Sequence, residues 1–447
     1  MKLFNAIIIV SILTISNGAF AQDTTRVATK DDVAEVKGQV DGINETMLEM
    51  KSTVDALKKI KISGYLQAQY QAADSDAVTS FAGGDFPANT HERFSVRRGR
   101  LKVNYDNDLT QYVLQIDITQ GGVGIKDMYA SVKEPWMRAF TFTGGIFDRP
   151  FGFEISYSSS NREAPERTRM YQILFPGERE LGSKIEFAPE SGPLSFLNFK
   201  GGLFNGVLNN ANENDNNKDF IGRLGVSLPF QEENLAIDGG VSLYSGKVTN
   251  LTKYVYSFDN SAPVKKYKVD STATNTGESF GRAYYGADVQ LYYDLPIIGG
   301  MSLRSEFITG QQPGTGNLNS FYGNKDVTKD LQKGALYVRK FTGWYINYIQ
   351  NVGLKNQLVV KYDVWDPNTE ANAEDLGAAG SNFEIGDLKY STLGFGWIYH
   401  WDSNVKFVAY YDMVRNEKVN SAATGSLAPY RNDLKDNVFT LRMQYKF

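Results

Sequence analysis

The chain has 447 residues and a formal net charge of −4, so its electrostatics give no reason to expect a nucleic-acid partner. Cysteine is absent, which leaves neither a disulfide framework nor a lipidation thiol. Tyr (26), Phe (27) and Gly (42) are abundant, Pro numbers 13 and mean hydropathy is −0.36; a polar average rich in strand-forming aromatics fits alternating apolar and polar residues better than apolar helices.

Residues 1–21 read as an export signal, with Lys2 as the positive start, Ile7 to Ile15 as the apolar core and Ala19-Phe20-Ala21 as the cleavage site. Its removal takes away only Lys2, so the mature chain from Gln22 carries −5. That core is too short to span a bilayer, and no later stretch approaches the roughly 20 continuous apolar residues a spanning helix needs.

Residues 22–60 form the second segment. Val33, Val36, Val40, Ile43, Met47, Met50, Val54 and Leu57 alternate at steps of three and four, the seam of a coiled coil about 42 Å long. A period of 3.5 favours self-association over an amphipathic helix packed on its own barrel, and the seam leaves dimer and trimer open.

From Lys61 to the C-terminus the period becomes two, and about sixteen strands of roughly ten residues follow, joined by alternately short and long connections. Short turns are expected near 106–109, 134–137, 189–193, 231–234, 294–300, 351–356 and 400–404. Long connections are expected near 71–92, 147–181, 207–218, 247–281, 311–334, 366–386 and 416–436, with 119–124 as one brief exception. In the last strand Phe439, Leu441, Met443, Tyr445 and Phe447 share one face, and Thr440, Arg442, Gln444 and Lys446 the other. The fold class is therefore all-β, a transmembrane antiparallel barrel over 61–447 with a short N-terminal helix. A soluble sandwich also alternates, but strand number, the export signal and aromatics at strand ends, among them Trp136, Phe140, Trp397, Tyr399 and Trp401, argue for the membrane form.

Charged residues on the inward face are the candidate functional groups. Leu101, Val103 and Tyr105 set the lipid face of their strand, which points Arg98, Arg100, Lys102 and Asn104 inward. Same-face residues lie about 6.7 Å apart, so the cations form either a ladder for passing anions or a set of partners for lumen acids such as Asp117 and Asp127. The same parity places Arg223, Arg304, Lys361 and Lys406 inside with Glu306 and Asp363. The connection at about 147–181 mixes Arg149, Arg162, Arg167, Arg169 and Arg179 with Asp148, Glu154, Glu163, Glu166, Glu178 and Glu180. Folded inward it narrows the lumen under a transverse field; held outside it is a long surface loop.

Catalysis is not expected, because the two histidines, His91 and His400, fall in a long loop and a short turn at opposite ends. Asn209 to Asp219 is rich in oxygen ligands, so calcium and an ordinary hydrophilic loop are both open, although the spacing lacks an EF-hand pattern. No cofactor is expected.

The barrel region resembles the phosphate-selective porin O and P family. The resemblance rests on Arg93 to Tyr105 with its Arg-Arg-Gly-Arg-Leu run and on Gly145-Ile146-Phe147-Asp148-Arg149-Pro150-Phe151-Gly152. It also rests on Pro176-Gly177-Glu178-Arg179-Glu180-Leu181-Gly182, and on Gly202-Leu203-Phe204-Asn205-Gly206 followed by Lys218-Asp219-Phe220-Ile221-Gly222-Arg223. It implies a homotrimer of 16-stranded barrels in the outer membrane, an inward third loop and an arginine ladder passing small anions. Phe447 looks like the terminal aromatic that barrel assembly reads. The charge-balanced third loop departs from that family's positive constriction, so the expected partners are membrane lipid and small anionic or polar solutes. A general porin whose coiled coil ties it to the cell wall or to periplasmic proteins is the alternative.

Overall fold

The computed structural model describes residues 29–207, 213, 215–230, 232–320 and 334–447. The expected export signal and, within Asn209–Asp219, residues 209–212 and 214 lie outside them. Two units are distinct, one ending at Lys59 and one spanning Ile60–Phe447.

Among the described residues of the first unit, a helix, α1 (Lys30–Lys58), begins at a capping box. Thr29 Oγ1 accepts from the backbone of Asp32, and the Asp32 carboxylate accepts from the backbone of Thr29, satisfying N–H groups that a helix start leaves unpaired. All eight seam residues, Val33 through Leu57, are exposed.

In the second unit the strands run in chain order as β1 (Ile60–Ala73), β2 (Glu92–Asn107), β3 (Thr110–Thr119), β4 (Gly122–Lys133), β5 (Phe140–Asp148), β6 (Arg179–Phe187), β7 (Leu197–Phe204), β8 (Asp219–Phe230) and β9 (Leu235–Thr249). They continue as β10 (Val255–Phe258), β11 (Tyr267–Asp270), β12 (Ser279–Leu295), β13 (Gly299–Gly314), β14 (Leu336–Val352), β15 (Asn356–Asp366), β16 (Tyr390–His400), β17 (Val405–Asn416) and β18 (Val438–Lys446). Each of the sixteen barrel strands pairs antiparallel with its chain neighbours, and β18 returns to β1 from Tyr65↔Lys446 to Ala73↔Val438, so the sheet has no free edge. The expected short and long connections fall at alternate ends, as the sequence predicts. What it does not predict is the hairpin β10–β11 inside the 250–278 connection, whose Val255 and Tyr256 pair in parallel with Leu336 and Tyr337 of β14.

Alternation decides which side chains meet lipid. Val360 is 46% exposed while its neighbours Val359 and Lys361 are 1% and 4% exposed, because successive side chains of a strand point to opposite faces. Trp136, Phe140, Trp397, Trp401 and Phe447 are exposed near strand ends, where the amphipathic indole rings suit the membrane interface. At the long-loop end, Tyr267, Tyr337, Leu376, Phe383, Leu388 and Leu427 bury one another in a second apolar cluster. Beside it Arg339 Nε donates to Asp387 Oδ1 at 2.7 Å.

Placing a cation on the lipid face tests this geometry. Val360→Arg is expected to lower stability by about 2–4 kcal/mol, read from urea unfolding of the barrel in lipid vesicles.

Candidate functional site

The connection from β5 to β6 crosses the barrel interior, and three kinds of interaction hold it there. The first is one carboxylate. Glu306 on β13 accepts the backbone N–H groups of Phe153 at 2.7 Å and Glu154 at 2.8 Å, together with the hydroxyls of Tyr171 and Tyr345. Just before these amides Gly152 adopts a φ of +60°, and a Cβ there would collide with the Tyr171 hydroxyl and with Glu306, so the turn requires glycine.

Apolar packing is the second. A short helix, α2 (Arg169–Leu174), buries Met170, Tyr171, Ile173 and Leu174. With Phe151 and Phe175 they pack on Tyr244 of β9, Tyr284 of β12, Phe341 of β14 and Trp365 of β15. That sector of the interior is therefore a packed core. Strict alternation led us to expect water-facing side chains along every strand, and here it fails because the loop supplies an apolar surface from inside the barrel.

Ion pairing is the third. Glu166 receives Arg97 at 2.9 Å, Arg98 at 2.7 Å and Arg442 at 2.9 Å. Glu178 receives Lys126, Arg167 and Arg179, and Glu163 receives Arg304 at 2.9 Å. Lys361 and Lys406 reach the backbone oxygens of Glu166 and Arg162, each at 3.3 Å.

The expected site residues thus divide by partner. Arg98, Arg167, Arg179 and Arg304 pair with loop acids, whereas Arg100 pairs with Asp117 at 3.1 Å and Arg223 with Asp288 at 2.6 Å across neighbouring strands. Arg162 is buried, and none of its guanidinium nitrogens has a hydrogen-bond acceptor among the described residues. Arg169 lies between the rings of Phe81 and Tyr390. Lys102 lines a cavity of about 360 Å³ with Arg100, Arg167, Arg179 and Lys446 against Asp127 and Asp148.

Two cations were missed by parity. Gln67 faces Arg98 while Ala68 faces Val96, which makes Arg97 an extra residue. Gln115 faces Asp127 while Ile116 faces Ile125, which does the same for Lys126. Each bulge turns an added cation onto a loop carboxylate. Arg442 was on the polar face of the last strand, but nothing in the sequence joined it to Glu166.

His91 bonds Asp76 in the first long loop and His400 bonds Gln357 beside a short turn. No cluster of three or more metal-ligating side chains occurs among the described residues.

No family model and no curated protein matches the chain. Among solved structures it is similar to OprB of Pseudomonas putida, at 9% identity and a TM-score of 0.54 over 89% of this chain and 96% of that one. It is similar also to the outer membrane channel DcaP of Acinetobacter baumannii, at 12% identity and a TM-score of 0.50 over 87% of this chain and 97% of that one. At such identities the likeness concerns the fold, and that fold is the β-barrel of outer-membrane porins.

Two outcomes follow from the loop's anchors. Glu306→Leu leaves two backbone N–H groups and two tyrosine hydroxyls without an acceptor, each at about 1–3 kcal/mol, so limited proteolysis should cut within 149–178 while the barrel stays folded. The second concerns pH. Burial pushes the Glu166 carboxyl up, but Arg97, Arg98 and Arg442 outweigh it and hold it well below its ordinary value. Burial acts in the same way on Glu178, where Arg167, Lys126 and Arg179 prevail. A folded pKa below the unfolded one gives stability that is complete above the ordinary value of 4.5 and is lost as pH falls through the lowered values. Protection of the loop from pepsin should therefore weaken progressively as pH is lowered below 4.5.

Proposed function

We propose that the chain is an outer-membrane diffusion channel for small hydrophilic solutes, of the phosphate-selective porin O and P type, with a preference for anions such as phosphate. In this reading residues 1–21 direct export, three barrels assemble as a trimer and the long loops face outward. The loop over about 147–181 is the constriction.

The observation that carries the anion preference is the 360 Å³ cavity, lined by five cationic side chains, of which Arg100, Arg167 and Arg179 are paired with carboxylates. Lys102 among them has no carboxylate within 4.0 Å among the described residues. Arg167 also lines a narrower cavity of about 30 Å³ with Glu166, Lys361, Asp363 and Asp412. That is about the volume one water occupies in the liquid. The narrow cavity in turn shares Phe81, Arg169 and Asp436 with a third cavity of about 430 Å³ at the long-loop end. The pairing of Arg98 with Glu166 and Arg100 with Asp117 supports a modest preference over an uncompensated ladder.

A second reading, a general porin anchored through its coiled coil, is favoured by the exposed seam of α1. A stripe of that length is stable once other copies or an envelope partner cover it.

Reversal potentials across planar bilayers in a potassium chloride gradient test the first reading. Wild-type protein should favour chloride, and Lys102→Glu should lower the anion-to-cation ratio by about fivefold, the effect of about 1 kcal/mol; a cation-preferring wild-type channel contradicts the anion reading. For the second, removing residues 23–60 should abolish co-sedimentation with cell wall and leave unit conductance unchanged.

A further inference from the structure

Arg169 stands apart from the other cations of the third loop. Its guanidinium carbon lies 4.4 Å from the Phe81 ring centroid and 3.7 Å from that of Tyr390, so two aromatic rings hold it. It is 8% exposed and has no carboxylate within ion-pair distance among the described residues. Its Nε has no acceptor there. That Nε is sealed from solvent, so the fork Arg169 can offer is its terminal Nη1 and Nη2 pair, a geometry that binds a planar oxyanion through two parallel hydrogen bonds.

The surroundings define the rest of the ligand. Arg169 borders the 430 Å³ cavity, which is also lined by Phe81, Trp365, Tyr390 and Tyr430 and by apolar side chains such as Ile173. That volume is typical of a small-molecule site, and its wall joins these rings to polar groups that include a second cation, Lys435, and the carboxylates of Asp76 and Asp436. Inorganic phosphate would use the cation and leave the rings idle, and a neutral aromatic would do the reverse.

We propose that this cavity is a capture site for small aromatic carboxylates, with Arg169 holding the carboxylate and the Tyr390, Tyr430 and Trp365 rings receiving the aromatic body. The proposal deepens the channel reading by naming a solute class and rests on that reading only for what happens after capture. The site lies at the long-loop end, apart from the inner cavity lined by Arg100 and Lys102.

Isothermal titration of the full chain in detergent micelles tests it, with benzoate, acetate and benzamide as probes. Benzoate should bind saturably, and acetate and benzamide each about tenfold more weakly, since each lacks one half of the recognition. Arg169→Gln should weaken benzoate by about tenfold and bring it level with benzamide. If that variant does not fold, as judged by loss of the heat-dependent gel shift of a closed barrel, Tyr430→Leu serves instead and should weaken benzoate but not acetate. Equal affinity for benzoate and acetate, or unchanged benzoate binding in Arg169→Gln, overturns the proposal. A protein that binds benzoate through Arg169 and yet conducts no ions supports the site and removes the channel reading.

Discussion

In hydrocarbon a backbone N–H or C=O finds no water, so each must be bonded within the protein. In this chain that condition is met by returning β18 to β1, where Gly64 and Phe447 also exchange backbone hydrogen bonds at 3.1 and 3.0 Å. Closure then imposes the rest. With no edge, each strand has one face toward lipid and one toward an enclosed space, and charged side chains such as Lys361 and Arg442 are confined to the latter.

The enclosed space is too wide for the wall alone to fill, and the third loop organises it unevenly. Aromatic side chains from β9, β12, β14 and β15 and the apolar face of α2 turn one sector into a core. The opposite wall, β1 to β4 with β17 and β18, keeps its charges because the loop meets it with carboxylates and backbone oxygens. A buried charge without a partner is costly, which explains why Glu166 and Glu178 each gather three cations. The loop's near balance of charge thus serves its docking. What remains positive is the part of the wall that the acids do not reach.

Arg162 and Arg169 show two outcomes for a cation without a carboxylate. The nitrogens of Arg162 are sealed from solvent, and its position is fixed through the backbone, where Lys406 donates to its carbonyl. Arg169 is held by two aromatic rings with only its Nε sealed, and it borders a cavity, so its terminal N–H groups are the ones placed to bind.

Strand number, lipid-facing side chains and the alternation of short and long connections were legible because they depend on a local period of two and on turn residues. The last strand, Phe439 to Phe447, needed no tertiary information at all. Arg97 and Lys126 were not legible, since a bulge is a property of two paired strands and reverses parity for one residue only. Nor was the packed sector, because Tyr284 and Phe341 become core only where α2, from a distant part of the chain, lies against them. The sequence by itself determined that a closed barrel forms and which residues face lipid, since both follow from hydrogen bonding and alternation along the chain. Tertiary structure alone decided which inward cations pair, which stack and which line a cavity, because those choices are made by a loop meeting distant strands.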